Sequence, residues 1–293
     1  DAFLPGYLTV PSDEDFLRLY WRSVQVEDVV GVAAERLDEW VELKRKSLTD
    51  ELEGMPEEFK KAFVEAVRGG DIRATSSDVQ VLFLQIEDFD VKSAARKLVQ
   101  HFEVESNLFK NPLHRTTLEV LINEHDVEME LGFVRLLPGE DASGRVLLFL
   151  DWEKIAHGGY DREGLARSVC IVLHMAMEME ACRRHGYVLI SNCRGINPSN
   201  YNHELFMTLV RILKSFPLNC RAVHGCYECI PWWTTTFFLP MLKSAMGKKM
   251  RARLCIHSGT KGALAELEVC GISRQQLPTV LGGIIDLSSH GAT

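Results

Sequence analysis

The sequence predicts an α/β protein in which an N-terminal helical bundle is followed by a mostly parallel sheet with helical crossovers. Up to about residue 140, apolar residues recur at spacings of three and four, as they do in amphipathic helices. From Val146 onward, short and continuously apolar runs alternate with longer helical segments. This alternation is typical of parallel strands joined by crossover helices. We therefore divide the chain into a helical region, 1–125, and a second domain, 126–293.

The helical region is predicted to contain three helices and then a helical hairpin. The three helices are expected at 13–23, 26–47 and 56–68, and Gly69-Gly70 ends the third. A tight turn at Asp88-Phe89-Asp90 then joins two amphipathic helices, the first capped by Ser77-Asp78. Their apolar faces carry Val79, Leu82, Phe83 and Ile86 in the first helix and Val91, Ala94, Ala95, Leu98 and Phe102 in the second. Such a hairpin needs a further apolar surface to cover it.

The second domain is predicted to alternate strands with helices. Strands are expected at 146–151, 187–190, 221–226 and 253–256. The first of them reads Val-Leu-Leu-Phe-Leu-Asp, and such an apolar run is typical of a strand that is buried on both faces. Helices are expected at 161–184, 231–246 and 261–269. A further helix should begin at Asn197-Pro198, where a capping residue precedes a proline.

The composition argues against several classes of function. The chain has 293 residues and a formal net charge of -8, whereas nucleic-acid binding needs clustered positive charge. There is no run of about 18 apolar residues, so no transmembrane helix is predicted. The first residues show neither the basic start nor the apolar core of a secretory signal. Several of the eight cysteines lie within apolar runs, which favours a reduced, cytoplasmic setting.

The motifs of the common α/β enzymes are absent. No Gly-x-Gly-x-x-Gly follows a strand, and no phosphate-binding loop with Gly-Lys-Ser or Gly-Lys-Thr is present. The loop His157-Gly158-Gly159 is similar to the oxyanion loop of esterases. A hydrolase would also need a Gly-x-Ser-x-Gly elbow to supply the nucleophile, and the sequence has none. We predict no catalytic residues and no cofactor, and an α/β hydrolase is the weakest of the rival interpretations.

A metal or redox site is the second chemical alternative. Cys226-x-x-Cys229 has the spacing of metal ligands, and Cys220 and His224 lie close in sequence. However, no second Cys-x-x-Cys exists, and Cys220 to Cys226 has the pattern of a buried strand, where alternate side chains point to opposite faces. We therefore predict no metal.

The segment 231–253 is unusually apolar and ends in a basic cluster. Wound as a helix, it would carry aromatic and aliphatic side chains around most of its circumference, and Pro240 should kink it. The cations that follow are Lys243, Lys248, Lys249, Arg251 and Arg253. Apolar surface beside a basic cluster is typical of contact with an anionic membrane. A fully buried crossover helix with a solvated basic loop explains the same pattern, and both interpretations stay open.

Several motifs between about residues 77 and 287 resemble motifs of the CRAL-TRIO (Sec14-like) lipid-binding family and follow one another in the same order. Leu82 to Ala95 is similar to the family's N-terminal helical motif, and Asp141 to Val146 resembles the turn that leads into its first strand. Phe216-Pro217 resembles the Tyr-Pro before the third strand. Phe238 to Leu242 resembles an element of the gating helix, and Leu277 to Gly283 resembles the closing Leu-Pro-x-x-x-Gly-Gly.

This resemblance implies a helical bundle packed on a sheet, with an apolar cavity between the sheet and the gating helix. The cavity would hold a phospholipid, retinoid, tocopherol or similar lipid, and no covalent chemistry would be needed. We expect the lipid to contact Phe149, Val188, Ile190, Phe206, Trp233, Phe237, Met241 and Arg253. We expect the membrane to contact Trp232, Phe238, Leu242, Lys243, Lys248 and Lys249. The protein should then be cytoplasmic and peripheral at membranes.

The sequence also departs from the family pattern. Cys226 and Glu228 stand where many relatives have Asn-x-Pro after the third strand, and Leu218 stands where inositol-lipid carriers have a glutamate. Arg253 replaces their lysine on the last strand. Arg253 retains the positive charge of that lysine, whereas Leu218 lacks the carboxylate of that glutamate. Specificity for an inositol lipid is therefore not expected. A module that keeps the fold but fills its pocket with side chains is the main alternative.

Overall fold

The chain divides into two units, which are described separately. The first comprises residues 1–121 and 212–218, and the second comprises residues 122–211 and 219–293. The structure is a computed structural model that describes residues 36–109, 120, 126–156, 158–199, 201–246 and 248–287. The predicted helix at 13–23 and the first part of the helix at 26–47 lie outside these residues.

The first unit consists of helices around one hydrophobic core. They are α1 (Leu37–Gly54), α2 (Lys61–Arg68), α3 (Ile72–Thr75), α4 (Ser77–Ile86) and α5 (Val91–Leu108), with a short 3-10 turn at Glu57–Phe59. Helix α5 packs against α1, α2 and α4. Leu48, Phe83, Leu84 and Leu98 are fully buried where these helices meet. The predicted hairpin thus corresponds to α4 and α5, and the apolar surface that covers it is supplied by α1 and α2.

The turn of the hairpin holds two residues in a strained backbone conformation. Asp88 and Phe89 have φ values of 52° and 60°, which L residues rarely adopt. Phe89 is held by burial, with its ring centroid 4.6 Å from that of Trp40. Asp90 then caps α5 by accepting a hydrogen bond from the Ser93 amide at 2.7 Å. The expected cap at Ser77-Asp78 is not formed, since α4 begins at Ser77 and its preceding residue makes no side-chain cap bond.

The second unit is built on a five-stranded sheet of order β1-β2-β3-β4-β5. The strands are β1 (Val134–Glu140), β2 (Val146–Asp151), β3 (Tyr187–Asn192), β4 (Cys220–Tyr227) and β5 (Leu254–Ser258). Strands β2 to β5 are parallel, and β1 pairs with β2 in antiparallel orientation. The sheet is therefore mostly parallel, as the alternation of apolar runs and helices predicts.

Helices connect the parallel strands. They are α6 (Asp126–Leu131) before β1, α7 (Arg162–Glu178) and α8 (Glu180–His185) between β2 and β3, and α9 (His203–Ser215) before β4. A π-helical turn (Thr234–Phe238) continues into α10 (Leu239–Ala245), and α11 (Lys248–Arg251) precedes β5. Helix α12 (Thr260–Val269) follows β5, and 3-10 turns lie at Trp152–Ile155, Arg274–Gln276 and Thr279–Leu281. Among the described residues, no helix is long and apolar enough to cross a membrane.

Three details differ from the sequence prediction. Strand β1 was not predicted, because Pro138-Gly139 interrupts any alternation along it and its outer half is exposed. The predicted helix at 161–184 is two helices, since Met179 is extended between α7 and α8. The helix expected at Asn197-Pro198 begins only at His203. Asn197 instead accepts hydrogen bonds from the amide and hydroxyl of Ser199, which closes a local turn.

Candidate functional site

The two faces of the sheet can be assigned from the strand register. Residues that pair directly across parallel strands point to the same face, and neighbours along a strand point to opposite faces. We call one surface the α10 face, because Leu254 of β5 on this surface packs with residues of α10, and the other the α12 face. The α10 face carries the row Leu148, Leu189, Val223 and Leu254, and the α12 face carries the row Phe149, Ile190, His224 and Cys255.

The α12 face is closed by side chains of the same unit. Phe149, Val188 and Ile190 are fully buried in one hydrophobic cluster. Helix α12 and the segment that follows it supply the covering residues, which include Ala263, Leu267, Ile272, Leu277 and Leu281. The cluster is almost entirely aliphatic, so this face has the character of an ordinary core.

The α10 face meets a second cluster that is rich in aromatic rings. Its buried members are Phe206, Val210, Trp233, Phe238 and Leu242. The centroid of the Phe238 ring lies 5.2 Å from that of Phe206 and 5.6 Å from that of Tyr201, and both contacts are edge-on. Leu254 of β5 and Trp152 after β2 pack against the same cluster, which places it over this face of the sheet. We call these residues the aromatic cluster.

The segment 232–245 has two sides of different exposure. Trp233, Phe238 and Leu242 are nearly buried, with exposed fractions of 9%, 8% and 7%. Trp232 and Phe237 are 72% and 63% exposed, and their rings lie in edge-on contact at 5.9 Å. One short segment thus presents aromatic rings both to the protein interior and to the outside.

A π-helical turn sets the spacing of these side chains. The Leu239 amide donates to the Thr234 carbonyl, five residues earlier. Pro240 has no amide hydrogen, and in an α-helix its ring would clash with the carbonyl of Thr236. The turn therefore contains one extra residue before α10. As a result Trp233 shares its side of the segment with Phe238 rather than with Phe237.

Comparisons with known proteins agree with this geometry. The family model described as CRAL/TRIO domain matches residues 131–283, which is more than half of the chain. The chain belongs to the CRAL/TRIO family. Domains of this family generally bind lipids and are typically not enzymes. The crystal structure of Sfh5 is similar at 8% sequence identity and a TM-score of 0.53, over 84% of this chain and 93% of that chain. This likeness shows the Sec14-like fold alone. A comparison with curated proteins found no significant match.

The CRAL/TRIO structure brings together only some of the residues predicted to hold the lipid. Phe206, Trp233 and Met241 lie together in the aromatic cluster. Phe149, Val188 and Ile190 belong instead to the cluster on the α12 face. Their selection rested on strand alternation, which fixes the period but not the face. Their neighbours Leu148 and Leu189 carry the α10 face, and no signal in the continuously apolar strands distinguishes the two sets.

The residues predicted to contact the membrane are also distributed unevenly. Trp232 and Lys243 are exposed. Phe238 and Leu242 are buried in the aromatic cluster, whereas Phe237, expected at the lipid, is exposed. The extra residue of the π-helical turn explains this exchange, because the expected set 233, 237, 241 followed α-helical spacing. Lys248 and Lys249 begin α11, and their side chains lie outside the described part of the structure, so their role stays a prediction.

Arg253 is held by its own domain at the edge where the strands begin. Its guanidinium donates to Asn219 Oδ1 at 3.0 Å and to the Cys220 carbonyl at 2.6 Å. Arg253 directly precedes β5 and is half-buried. Arg253 is one of the residues that the sequence analysis expects to contact the lipid. The amide and carbonyl oxygens show that the cation ties β4 to β5, and a contact with lipid stays a prediction.

The α12 face contains a buried pair of histidines that the sequence did not reveal. His224 Nδ1 lies 2.8 Å from His257 Nε2, and His257 Nδ1 contacts the Glu266 carboxylate of α12. The ring centroids are 5.0 Å apart at an angle of 19°. With the nitrogens this close, the rings lie edge to edge in nearly one plane. Burial, followed by His257 and Arg145, lowers the pKa of His224 to about 4, and Asp141 opposes the shift.

The candidate metal ligands are poorly suited to bind a metal. Burial raises the pKa of both Cys220 and Cys226 to about 12. The thiolate is the form that binds metals, so these raised values disfavour coordination. His224 is already bonded to His257, and Cys229 is exposed. The arrangement is that of a strand with buried thiols.

Proposed function

We propose that this chain binds one hydrophobic lipid between the α10 face of the sheet and segment 232–245. The observation that carries the proposal is the position of Trp233, Phe238 and Leu242, whose large buried side chains form one cluster with Leu254 of β5. Membership of a family that generally binds lipids supports it. The sheet residues that would contact the lipid are Leu148, Leu189, Val223 and Leu254, in place of the three expected on the α12 face.

The mechanism needs no covalent step. Segment 232–245 moves away from the sheet at a bilayer, a lipid enters, and the segment closes over its hydrocarbon part. Each buried CH₂ group stabilises the complex by about 0.8 kcal/mol. The pocket should measure on the order of several hundred Å³, as sites for single lipids and other small ligands do.

The exposed side of the same segment would contact the membrane. Trp232 and Phe237 are the rings that favour the interfacial zone of a bilayer. Lys243, Lys248 and Lys249 follow directly, and each cation near an anionic surface contributes about 1 kcal/mol. The protein would then be cytoplasmic and peripheral at membranes, although its net charge is -8.

Mass spectrometry of organic extracts from the purified protein tests ligand binding. We expect close to one lipid per chain. Phe238→Ala should change which lipids co-purify, because it enlarges the site, whereas Phe237→Ala should leave their composition unchanged. This pair is well matched, because the two residues are adjacent and identical and only Phe238 is buried. Protein that is repeatedly free of lipid would contradict the proposal.

The alternative is an interaction module whose pocket is filled by its own side chains. The close packing of Tyr201, Phe206 and Phe238 favours it, since rings 5.2 to 5.6 Å apart already occupy this side of the sheet. In that case no lipid should co-purify. Phe238→Ala should then lower the free energy of unfolding by about 3–5 kcal/mol, as for other buried aromatic residues.

Flotation with vesicles tests the membrane contact separately. Replacing both Lys248 and Lys249 by Glu should weaken binding to anionic vesicles, and the loss should shrink as salt screens the charges. The double replacement of Lys61 and Lys92 by Glu, both exposed in the first unit, is the control and should have little effect. Equal recovery of wild type and the 248/249 variant at low salt would show that these lysines are only solvated.

A further inference from the structure

The first unit carries an open groove between α1 and α5, with a volume of about 810 Å³. Each helix lines it with four residues at spacings of three and four, which places them on one side of that helix. They are Ser47, Asp50, Glu51 and Gly54 of α1 and Arg96, Val99, Gln100 and Glu103 of α5. The lining is completed by the residues Met55, Pro56 and Phe59, which follow α1. We call this surface the α1–α5 groove.

A second hollow of about 380 Å³ adjoins the α1–α5 groove, since both are lined by Phe59, Val99 and Glu103. It is bordered by α2 and extends along α5 to Asn107. Together the two hollows follow α5 from Arg96 to Asn107, which is about 16 Å at the rise of an α-helix. A partner helix of about three turns fits along this length.

Phe59 is an exposed ring where the two hollows meet. It is 66% exposed. Near it the α1–α5 groove is open at Gly54, where an added methyl group would meet no described atom within 4 Å. Aromatic rings beside open pockets are typical anchors of protein interfaces, because a partner can bury them completely. The groove therefore offers an apolar contact near its centre.

The rim of the two hollows is acidic. Its five carboxylates belong to Asp50, Glu51, Glu58, Glu65 and Glu103, and its two cations are Lys61 and Arg96. Within the described part of the chain, none of these carboxylates forms an ion pair. Among the same described residues they form no group close enough to hold a metal ion. Their charge is thus available to a cationic partner.

Two other occupants do not complement this charge. The chain's own residues 1–35 contain seven acidic and two basic residues, so their net charge has the same sign as the rim. An anionic membrane would be repelled by the rim as well, since its surface potential is negative. An apolar anchor site with an acidic rim matches a helix that carries leucines on one side and lysines or arginines beside them.

We propose that the α1–α5 groove binds a basic amphipathic helix of a partner protein. The apolar side of that helix packs on Phe59 and Met55, and its cations pair with Asp50, Glu51 and Glu103. The apolar contact supplies affinity, and the charges steer the encounter and exclude acidic segments. The inference goes beyond lipid binding and does not depend on it, because all these residues belong to the first unit.

Fluorescence anisotropy with the full chain and a labelled peptide tests the apolar contact. The probe is a synthetic helix of about 14 residues, with leucines at helical spacing on one side and lysines on the other. We expect saturable binding that Phe59→Ala weakens about tenfold, as for an interface anchor. The control is Ile72→Ala, since Ile72 is 73% exposed in the same unit but lies outside the groove. It should leave the affinity within about twofold.

Charge reversal in the same assay tests the rim. The double variant Asp50→Lys, Glu103→Lys should weaken binding at least tenfold at low salt, and the loss should shrink as salt screens the charges. The control makes the same change of charge with Asp38→Lys and Glu39→Lys, which are exposed on the first turn of α1 and outside the groove. It should have little effect.

Four outcomes would overturn the inference. The first is failure of the wild-type chain to bind the lysine peptide, and the second is equal binding of a peptide with glutamate in place of lysine. The third is an equal loss in the groove variants and in their controls. The fourth is self-association of the chain alone in sedimentation velocity that Phe59→Ala abolishes, since this would assign the groove to a second copy. Each outcome would leave the proposed lipid binding standing.

Discussion

The two faces of the sheet are covered by different kinds of side chain. On the α12 face, Phe149 and Ile190 are covered by aliphatic residues of α12 and of the segment behind it. On the α10 face, Leu254 meets aromatic rings on segment 232–245, whose outer side carries Trp232 and Phe237. A face sealed by its own chain serves stability. A face covered by a segment with apolar residues on both sides is suited to exchange its cover for a ligand.

The largest expected effect on stability lies on the α12 face. Phe149→Ala removes a fully buried ring from the sealed cluster and should lower the free energy of unfolding by about 3–5 kcal/mol. Urea denaturation measures it. The lipid content of the folded variant should not change. If Phe149→Ala altered the bound lipid while stability stayed the same, the assignment of the two faces would be reversed.

The histidine pair should make stability depend on pH. The pKa of His224 is lowered to about 4 in the folded protein from an ordinary value of 6.5, so the unfolded chain binds more protons in between. Stability should therefore be complete above pH 6.5 and fall as the pH drops toward 4, by up to about 3 kcal/mol. His224→Gln should remove most of this dependence. Unfolding measured at pH 7 and pH 4.5 tests it, with the exposed His203→Gln as the control.

A smaller effect is expected at Arg253. Arg253→Ala removes the hydrogen bonds to Asn219 and to the Cys220 carbonyl, so the free energy of unfolding should fall by about 1–2 kcal/mol. Ligand selectivity should stay the same if the residue only ties β4 to β5. A change in the composition of co-purified lipids would instead place the cation at the ligand.

The smallest effect on stability is expected at Phe237. Its side chain is 63% exposed, so Phe237→Ala should change the free energy of unfolding by no more than about 0.5 kcal/mol. Recovery with floated vesicles should nevertheless fall, because an interfacial ring is lost. A large loss of stability without loss of vesicle binding would mean that this side of the segment is covered in solution.

The sequence predicts the order of elements well, because helical and strand periods differ clearly along most of the chain. The sequence does not show to which face of the sheet a strand residue points. In a strand such as 146–151 every residue is buried, so Phe149 and Leu150 look alike although they point to opposite sides. Strand β1 has the opposite problem, since Pro138 and its exposed outer half hide the strand pattern. The His224–His257 pair depends on a contact between two strands that are distant in sequence, which no local pattern records.

The extra residue in the π-helical turn has a mechanical consequence. One residue of an α-helix corresponds to a rotation of about 100°. If the turn at Thr234–Phe238 relaxed to α geometry, Trp233 would align with Phe237 and Met241 instead of Phe238 and Leu242. The Phe237 and Phe238 rings would then exchange the inner and outer sides of the segment through a shift of one residue, and no hinge would be needed. Withdrawal of Phe238 from the sheet toward a bilayer and replacement by Phe237 at the sheet would then be a single rotation, which would couple arrival at a membrane to release of a ligand.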